Sequence, residues 1–580
     1  MSAYVNTQAV APDTTVPKSQ PAIRFTDLRS SGEPFAWILG GALALGCIMI
    51  VSFLAMVFWN GATTFVPKEI QVVTMSNGAM TAGEATRTEL YRPQVLDFQK
   101  LTPTQQNIIT ENNGFASRTL YRVGNFDIYN EDYRWISDFE VTKIEAPKDI
   151  LLAERVEWGP LIGTLKSITV DGEIILLNSV NDKRFANIHD VSRERRERMS
   201  EIEKDEIGGI NHQIEQLRLN VRRVELAEGL NSEAFAKAQM TLEAQVGGLQ
   251  EKYKKLADEV LQLRDLNKRN TATFVEIGRQ EKIVQMDALV RIYPANDLDV
   301  FGAIGVYLSR WWEFVSDEPR EANTEGGILP AIFGTAAMTL MMVVAVAPFG
   351  IITALYLREY AKQGRLVSFV RISVNNLAGV PSIVYGVFGL GFFAYVLGGS
   401  IDQLFYPERL PNPTFGTGGL LWASLTLALL TVPVVIVATE EALSAVPRSM
   451  REGSLACGAS KWQTIKYIVL PRALPGIMTG IILAMARGAG EVAPLMLVGV
   501  VKLAPELPID GFFPFVHLER SFMHLGFHIY DVGFQSRNAE AGKPMVFVTT
   551  MLLIGLIFAL NITAIVVRNR LKQKFKGSQF

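Results

Sequence analysis

Two opposite charges lie four residues apart inside an otherwise apolar stretch of the sequence. Arg487 and Glu491 fall in the run Ala473–Val501, which is long and hydrophobic enough for a membrane span. On a helix this spacing places both side chains on one face, where they can form an ion pair. Charges inside a span are costly, so they predict a functional site in which the arginine could meet an oxyanion. A structural pair that only joins helices is the alternative.

A second pattern combines small residues, glycine and proline at fixed distances. Its members are Glu452, Gly453, Ser454, Gly458, Ile468, Leu470 and Pro471. Two short helices that meet at Gly458 could dock in a cleft of a partner protein, because glycine tolerates a positive φ and small side chains allow close approach. Such a segment would transmit motion. An ordinary amphipathic connector with a helix C-cap is the alternative, but it does not require the distant Ile-x-Leu-Pro run.

Three histidines provide a weaker signal. His517, His524 and His528 recur at spacings of seven and four residues, so on a helix they could share a face and bind a metal. Phenylalanines surround them and no carboxylate pattern completes a site, which favours an interfacial amphipathic segment. The sequence contains no nucleophile-and-base arrangement and no G-x-x-x-x-G-K-[ST] loop. We therefore predict no catalytic residue, no metal site and no cofactor bound by this chain.

The composition indicates that much of this chain lies in lipid. Its 580 residues are 49% hydrophobic, and the 56 basic and 58 acidic residues nearly balance, which argues against nucleic-acid binding. The two cysteines, Cys47 and Cys457, lie too far apart in sequence and context to suggest a disulfide framework.

Six apolar stretches are long enough to cross a membrane. They are Phe35–Trp59, Ile328–Leu357, Ile372–Leu397, Gly419–Thr439, Ala473–Val501 and Met545–Val567. Six spans place both termini on one side, and the excess of Lys and Arg in the short segments predicts that this side is cytoplasmic. The sequence thus divides into a cytoplasmic tail at 1–34, a first membrane helix at 35–59, an extracytoplasmic insertion at 60–327, a membrane core at 328–567 and a basic tail at 568–580.

The insertion begins as a β-rich module. Leu161–Val170 and Glu173–Leu177 flank Asp171-Gly172, a strong signal for a two-residue hairpin, and strand-like runs return at Thr271–Ile277 and Ala288–Tyr293. Between these strands, residues 191–266 are highly charged and have apolar residues at alternating spacings of three and four. They form two arms of similar length around a break at Gly229–Asn231, which predicts an antiparallel coiled-coil hairpin about 50 Å long. Ser232 follows the break in the position of an N-cap for the second arm.

A further apolar helix precedes the second span. Residues 299–316 contain Val300, Phe301, Ile304, Leu308, Trp311 and Trp312 at helical spacing. Paired tryptophans beside a span favour an interfacial helix on the membrane surface. A helix in the soluble core of the β module is the alternative.

The pattern around Gly458 resembles the coupling loop of ABC-importer permeases, which reads Glu-Ala-Ala, three residues, Gly, nine residues, Ile-x-Leu-Pro. Both alanines are replaced here, by Gly453 and Ser454. Runs at Gly326–Ile332, Asn375–Gly386 and Ala486–Leu495 are similar to the phosphate permeases of this class, especially the PstA-type subunits, although Val492 replaces their threonine. The resemblance covers roughly residues 326–501 and does not extend to the insertion.

The resemblance implies a six-span permease subunit of an ATP-driven phosphate importer in the bacterial cytoplasmic membrane. It implies that segment 440–472, with the residues of the coupling pattern, contacts an ATPase, and that Arg487, Glu491, Asn375 and Asn376 line the translocation path. The implied partners are a PstC-type permease, a PstB-type ATPase dimer that binds ATP and Mg, a PstS-type periplasmic phosphate-binding protein and the lipid membrane.

Two other functions are compatible with the sequence. The first is a permease for another oxyanion, such as sulfate, molybdate or a phosphonate, because the coupling pattern does not specify the cargo. The second is a membrane-anchored coiled-coil sensor or assembly protein whose helices serve only as anchors. The coupling pattern argues against the second, since an anchor does not need it.

Overall fold

A computed structural model describes residues 34–94, 98, 101–111, 113–176, 182–504, 507–536 and 539–576. The predicted cytoplasmic tail, apart from Pro34, and the last four residues of the basic tail lie outside these ranges. The chain divides into two compact units, and the boundary between them lies after Met56. The described part of the first is the beginning of helix α1 (Pro34–Thr63), whose 27 residues from Trp37 are apolar and long enough to cross a membrane.

The second unit begins with two antiparallel sheets. Their principal strands are β1 (Ile70–Met75), β2 (Met80–Tyr91), β3 (Ala116–Arg122), β4 (Tyr133–Ser137), β5 (Val141–Glu145), β6 (Leu151–Arg155), β7 (Leu161–Val170), β8 (Glu173–Leu176), β9 (Thr271–Val275), β10 (Glu281–Gln285) and β11 (Leu289–Pro294). The first sheet has the order β4-β3-β2-β1-β5; the second has the order β10-β9-β7-β6-β11, and β8 pairs with β7. Two short helices, α2 (Pro103–Glu111) and α3 (Phe126–Tyr129), lie within the first sheet's connections.

The hairpin predicted at Asp171-Gly172 is confirmed. Asp171 has φ 48° and Gly172 has φ 90°, the two positive values that a tight two-residue turn requires. Residue Leu177 of the predicted second strand lies outside the described residues. The core beneath the second sheet contains Ile168, Phe274 and Met286, which are all fully buried. Two-residue strands, β12 (Pro319–Arg320) and β13 (Glu325–Gly326), follow and lead to the second span.

A helical arm is inserted between β8 and β9. Because β7 pairs with both strands, the chain leaves the sheet and re-enters it at the same place. The arm contains α4 (Lys183–Glu201), a π-helical turn (Ile202–Glu206), α5 (Ile207–Glu228) and α6 (Glu233–Lys268). Ser232 caps α6 by accepting a hydrogen bond from the Phe235 amide at 3.1 Å, as its position after the break predicted.

The two sides of the arm pack against one another near its base. Met199 and Ile202 form a buried cluster with Val260. The seam residues are the apolar residues that recur at spacings of three and four along α5 and α6. Further out, most of them are half-buried and Tyr253 is exposed, since each helix has only one partner along this seam. The helices therefore pair after the break, and the supercoiled coiled-coil packing stays a prediction.

The rest of the chain is almost entirely helical. After α7 (Val300–Ser316) come α8 (Leu329–Leu355), α9 (Arg365–Ala378), α10 (Ser382–Phe388), α11 (Gly399–Phe405), α12 (Leu420–Ser444), α13 (Arg448–Ala456), α14 (Lys461–Thr464), α15 (Leu470–Ala489), α16 (Leu495–Val498), α17 (Leu525–Tyr530) and α18 (Ala539–Lys576). π-helical segments at Tyr356–Tyr360, Gly389–Gly398, Ile465–Val469 and Asp531–Gln535 extend or join them. Six helices in the described chain are long and apolar enough to cross a membrane.

Several of the predicted span boundaries differ from those in the structure, two of them for a clear local reason. The third span begins at Ser382 and not at Ile372, because Pro381 has no backbone N–H and separates the span from α9. The fifth ends at Ala489 and not at Val501, where Gly490 terminates the helix.

Glycines allow three of the spans to pack closely. A Cβ atom at Gly350 of α8 would lie 2.6 Å from the Val435 side chain of α12, and one at Gly480 of α15 would lie 2.4 Å from Ala438. Contacts between small residues bring membrane helices together where lipid provides no hydrophobic driving force. Helices α8, α12 and α15 consequently form the core of the membrane region. Residues 440–472, which the resemblance predicts to contact an ATPase, extend from this core, and we call them the coupling segment.

Candidate functional site

The coupling segment consists of two short helices that meet at Gly458. Helix α13 ends at Ala456, Gly458 has φ 84°, and α14 begins at Lys461. Ser460 and Gln463 form a reciprocal capping box at the start of α14. The predicted need for glycine at a positive φ is confirmed, because an L-residue rarely adopts this conformation.

One arginine holds α13 against the membrane core. Arg451 donates to the backbone carbonyl oxygens of Leu443 and Val446, both at 2.6 Å, and to the Glu359 carboxylate at 3.0 Å. Both charged side chains are largely buried. The hydroxyls of Ser454 and Thr464 lie 2.9 Å apart and join the two short helices. The coupling segment is thus tied to the ends of the second and fourth spans.

The opposite side of this segment presents an unburied surface. Leu455, Trp462 and Tyr467 are exposed, as are Glu452 and Gly453. A Cβ atom at Gly453 or Gly458 would meet nothing within 4 Å, so neither glycine is required by packing within this chain. An exposed aromatic surface beside small residues suits close contact with another protein.

The Ile-x-Leu-Pro run lies elsewhere in the segment. Ile468 belongs to the π-helical turn, and Leu470 and Pro471 begin α15, where all three are half-buried. Leu470 packs against the membrane core. The pattern therefore covers two places: a surface around Gly458 and the start of the fifth span.

The sequence analysis did not identify Arg451 as a functional residue. No sequence motif links this arginine to its acceptors, which include Glu359 of the second span.

The charged pair forms at the end of a helix. The Arg487 Nε and Glu491 Oε1 atoms lie 3.7 Å apart, so the two side chains are close enough to attract each other. However, α15 ends at Ala489, and Glu491 lies beyond it. The expectation that both residues belong to one helix inside the span is wrong, because Gly490 ends the helix between them.

The segment after Glu491 returns toward the third span. A Cβ atom at Gly386 would lie 2.7 Å from the Pro494 backbone, so the two segments touch. The Tyr385 hydroxyl donates to the Leu377 carbonyl at 2.5 Å and joins the third span to α9. Asn375 and Asn376 are exposed on α9, outside the spans, and their role in a path stays a prediction.

The three histidines do not share a helical face. His517 precedes α17 and lies 2.9 Å from Asp510 and 3.2 Å from Glu519. His524 caps α17 and His528 lies within it. Burial lowers the pKa of His524 to about 3 and that of His528 to about 4, which keeps both neutral near pH 7. Among the described residues, no group of three or more His, Cys, Asp or Glu side chains could hold a metal.

The arm contacts two loops of the helical region. Arg223 of α5 pairs with Glu408 at 2.6 Å, and the ring of His212 stacks on Phe512 at 4.8 Å. Glu408 lies in the short 3₁₀ turn Pro407–Arg409 between α11 and α12, and Phe512 lies between α16 and α17. The arm is therefore attached to the β module at its base and also contacts the helical region along its length. The face of α5 that makes these contacts is not the face that packs against α6.

The membrane region matches a known family. Residues 347–573 match the family described as binding-protein-dependent transport system inner membrane component. The probable ABC transporter permease protein YqgH of Bacillus subtilis (strain 168) is 36% identical over 195 residues, which cover 33% of this chain and 59% of that protein. Phosphate transport system permease protein PstA 1 of Mycobacterium tuberculosis (strain CDC 1551 / Oshkosh) is 38% identical over 199 residues, covering 34% and 60%.

These matches span about three fifths of the length of the two relatives. A similar protein from Yersinia pestis, phosphate transport system permease protein PstA, is 36% identical over 184 residues. Among solved structures, the inward-facing MetNI methionine ABC transporter is 20% identical with a TM-score of 0.32, covering 42% of this chain and 95% of that chain.

Proposed function

We propose that this chain is the permease subunit of an ATP-driven importer of inorganic phosphate, because residues 347–573 match the family described as binding-protein-dependent transport system inner membrane component. The chain is a multi-pass membrane protein with six candidate spans. In the proposed assembly it forms part of the path through the membrane, and a separate chain hydrolyses ATP.

The observation that carries this proposal is the anchored coupling segment. Its aromatic surface of Leu455, Trp462 and Tyr467 is exposed, while Arg451 joins the same segment to the second and fourth spans. A push on this surface by an ATPase would be transmitted through a rigid hydrogen-bonded contact to the membrane core. A helix that served only as an anchor would need neither the surface nor the buried arginine.

Phosphate is the cargo favoured by the relatives. Two of the similar proteins are named as phosphate transport system permease proteins, and they are 38% identical over 199 residues and 36% identical over 184 residues. In the proposed path, Arg487 offers a planar cation to a passing oxyanion, and Glu491 prevents the arginine from becoming a permanent trap. Arg487 is 39% exposed at its side chain, so solvent or a ligand can reach it.

The proposed assembly contains a PstC-type permease, a PstB-type ATPase dimer that binds ATP and Mg, and a PstS-type phosphate-binding protein. The basic short loops support a cytoplasmic position for both termini and for the coupling segment. The β module and the arm then lie on the extracytoplasmic side. In the proposed assembly, the contact of the arm with the loops at Glu408 and Phe512 would bring it close to the side of the permease on which a binding protein delivers its cargo.

Purification of the tagged chain in mild detergent tests the assembly. Mass spectrometry should identify an ATPase with a phosphate-binding loop and a second permease, and vesicles containing the complex should take up labelled phosphate only with ATP. Competition by sulfate, molybdate and a phosphonate measures cargo selectivity. Stronger competition by one of these than by phosphate would support the other-oxyanion alternative. A purified complex without an ATPase would instead support a sensor or assembly protein.

A further inference from the structure

Helix α7 has two faces with different environments. On one face Phe314 is fully buried and packs against Ile328 at the start of the second span. The Arg310 side chain on this side bonds to Glu154 at 2.7 Å and to the Tyr293 hydroxyl at 2.6 Å. This face fixes α7 to both the β module and the membrane helices, as a core helix would be fixed.

The other face is apolar and has no protein partner within the described chain. The exposed fractions are 74% for Val300, 83% for Phe301, 49% for Ile304, 59% for Leu308 and 72% for Trp312. Their spacing of three, four and four residues from Phe301 onward forms one stripe along the helix. Single exposed apolar residues are common on protein surfaces, but a continuous apolar stripe is unfavourable in water and marks a surface that binds something.

The position of α7 identifies what can cover this stripe. Phe65 follows the end of α1 by two residues, and its ring centre lies 5.0 Å from that of Trp311. One turn further along α7, the Ile328 amide donates to the Phe314 carbonyl oxygen at 2.9 Å, immediately before α8 begins. The C-terminal part of α7 therefore lies beside the end of the first candidate membrane span and the start of the second.

We propose that the exposed face of α7 binds the interfacial layer of the lipid bilayer and seats the β module on the membrane. Tryptophan prefers this layer, where its ring is apolar and its N–H can meet water or headgroups. No lysine or arginine belongs to the stripe, and acidic Asp299 and Asp317 flank the helix. The attraction is therefore apolar and does not require anionic lipid.

Ion pairs make this contact rigid. Glu313 pairs with Arg291 at 3.0 Å and with Arg320, and Glu154 pairs with both Arg291 and Arg310. These side chains are mostly buried, so α7 cannot turn without breaking several charge-assisted bonds. Lipid contact with α7 consequently fixes the height and tilt of the β module relative to the bilayer. This inference requires the membrane spans but does not depend on phosphate transport.

Spin-label depth measurement tests the proposal in the full chain, reconstituted in nanodiscs. Cys47 and Cys457 are first replaced by serine, and single cysteines are then introduced as Phe301→Cys and Leu308→Cys. Met240→Cys on the exposed arm is the aqueous control, and Leu340→Cys on α8 is the control inside a span. Collision with oxygen and with a water-soluble nickel chelate then reports the depth of each label.

We expect the labels at 301 and 308 to lie about 5–10 Å below the headgroup boundary, between the two controls. Their depth should stay the same when phosphatidylglycerol replaces phosphatidylcholine. Aqueous accessibility equal to that of the Met240→Cys label would overturn the proposal, as would protection from both reagents, which indicates a protein partner. The double variant Phe301→Ser with Trp312→Ser, labelled at Leu308→Cys, should shift that label toward water while the elution volume of the purified protein reports its assembly separately.

Discussion

Arg451 and Glu359 form a largely buried ion pair at 3.0 Å that joins the coupling segment to the end of the second span. The same guanidinium donates to two backbone carbonyl oxygens, that of Leu443 in the last turn of the fourth span and that of Val446 just after it. One side chain therefore links three parts of the molecule. In the proposed importer, this is the connection through which a displacement of α13 reaches the membrane core.

Replacement of Arg451 tests this connection. Arg451→Gln leaves the Glu359 carboxylate buried without its cation, which costs about 1–3 kcal/mol. We expect faster amide hydrogen exchange in residues 448–456 and at least a tenfold loss of phosphate uptake, the factor that about 1.4 kcal/mol produces. The double variant Arg451→Gln with Glu359→Gln also removes the unpaired carboxylate, so it should recover part of the protection of residues 448–456 from hydrogen exchange. Unchanged exchange in Arg451→Gln would show that the bonds do not hold α13.

Gly458 provides a second test of coupling. Gly458→Asp places a side chain and a charge at a residue with φ 84°, which strains the turn by about 1–2 kcal/mol and blocks close approach by a partner. Uptake and stimulated ATP hydrolysis should both fall while membrane insertion survives. Gly229→Asp is the matched control, because Gly229 has φ 86°, is equally open and lies in the arm. Equal loss of uptake in both variants would attribute the effect to strain alone.

The pair Arg487 and Glu491 distinguishes a transport role from a structural one. Arg487→Gln should abolish uptake, and Arg487→Lys should retain some because it keeps the charge but loses the planar fork. The double variant Arg487→Gln with Glu491→Gln removes both charges. A transport role predicts an assembled complex that hydrolyses ATP without moving phosphate. Recovery of uptake in the double variant would instead support a structural pair.

The contact between the arm and the loop at Glu408 should depend on pH. Burial by itself raises the pKa of Glu408, but the hydrogen bond and charge of Arg223, a backbone hydrogen bond and the charge of Arg409 together outweigh it and hold that pKa below its ordinary value of 4.5. The stabilisation is therefore present above about pH 4.5 and is lost as the pH falls through the lowered pKa. Arg223→Ala should release the loop at pH 7, by about 1 kcal/mol because Arg223 is 61% exposed and screened.

Hydrogen exchange at residues 407–410 measures this release. The difference between Arg223→Ala and the unmodified chain should shrink as the pH falls below about 4.5, where the Glu408 carboxylate becomes neutral. Arg222→Ala is the control, since Arg222 pairs with Glu225 on the same helix and not with the loop. A difference that stays constant down to pH 3 would contradict the role of this carboxylate.

The length of an arm deletion should decide whether the β module survives. Replacing residues 207–256 with a short Gly/Ser linker keeps the contacts at the base and should leave the module folded. Replacing 191–266 also removes Ser192, whose carbonyl and hydroxyl oxygens accept bonds from Asn267 and Asn270. That longer deletion should be less stable to heat and protease. Equal stability of the two variants would mean that the base contacts contribute little.

The sequence by itself determined the features that depend on local chemistry. Hydropathy and length identified six spans, and the turn at Asp171-Gly172 was predictable because few residues adopt two consecutive positive φ values. The same reasoning required glycine at residue 458. The cap at Ser232 and the pairing of the arm's two helices followed from spacing within one segment.

Only the tertiary structure decided where distant segments meet. Two acceptors of Arg451, Glu359 and Leu443, belong to the second and fourth spans. The α5 contacts with Glu408 and Phe512 join residues separated by 185 positions or more. The helix end at Ala489 was also missed, because Gly490 lies in an apolar run that reads as one continuous span. Periodicity reports which face of a helix is apolar, but the partner of that face depends on the packing of the whole chain.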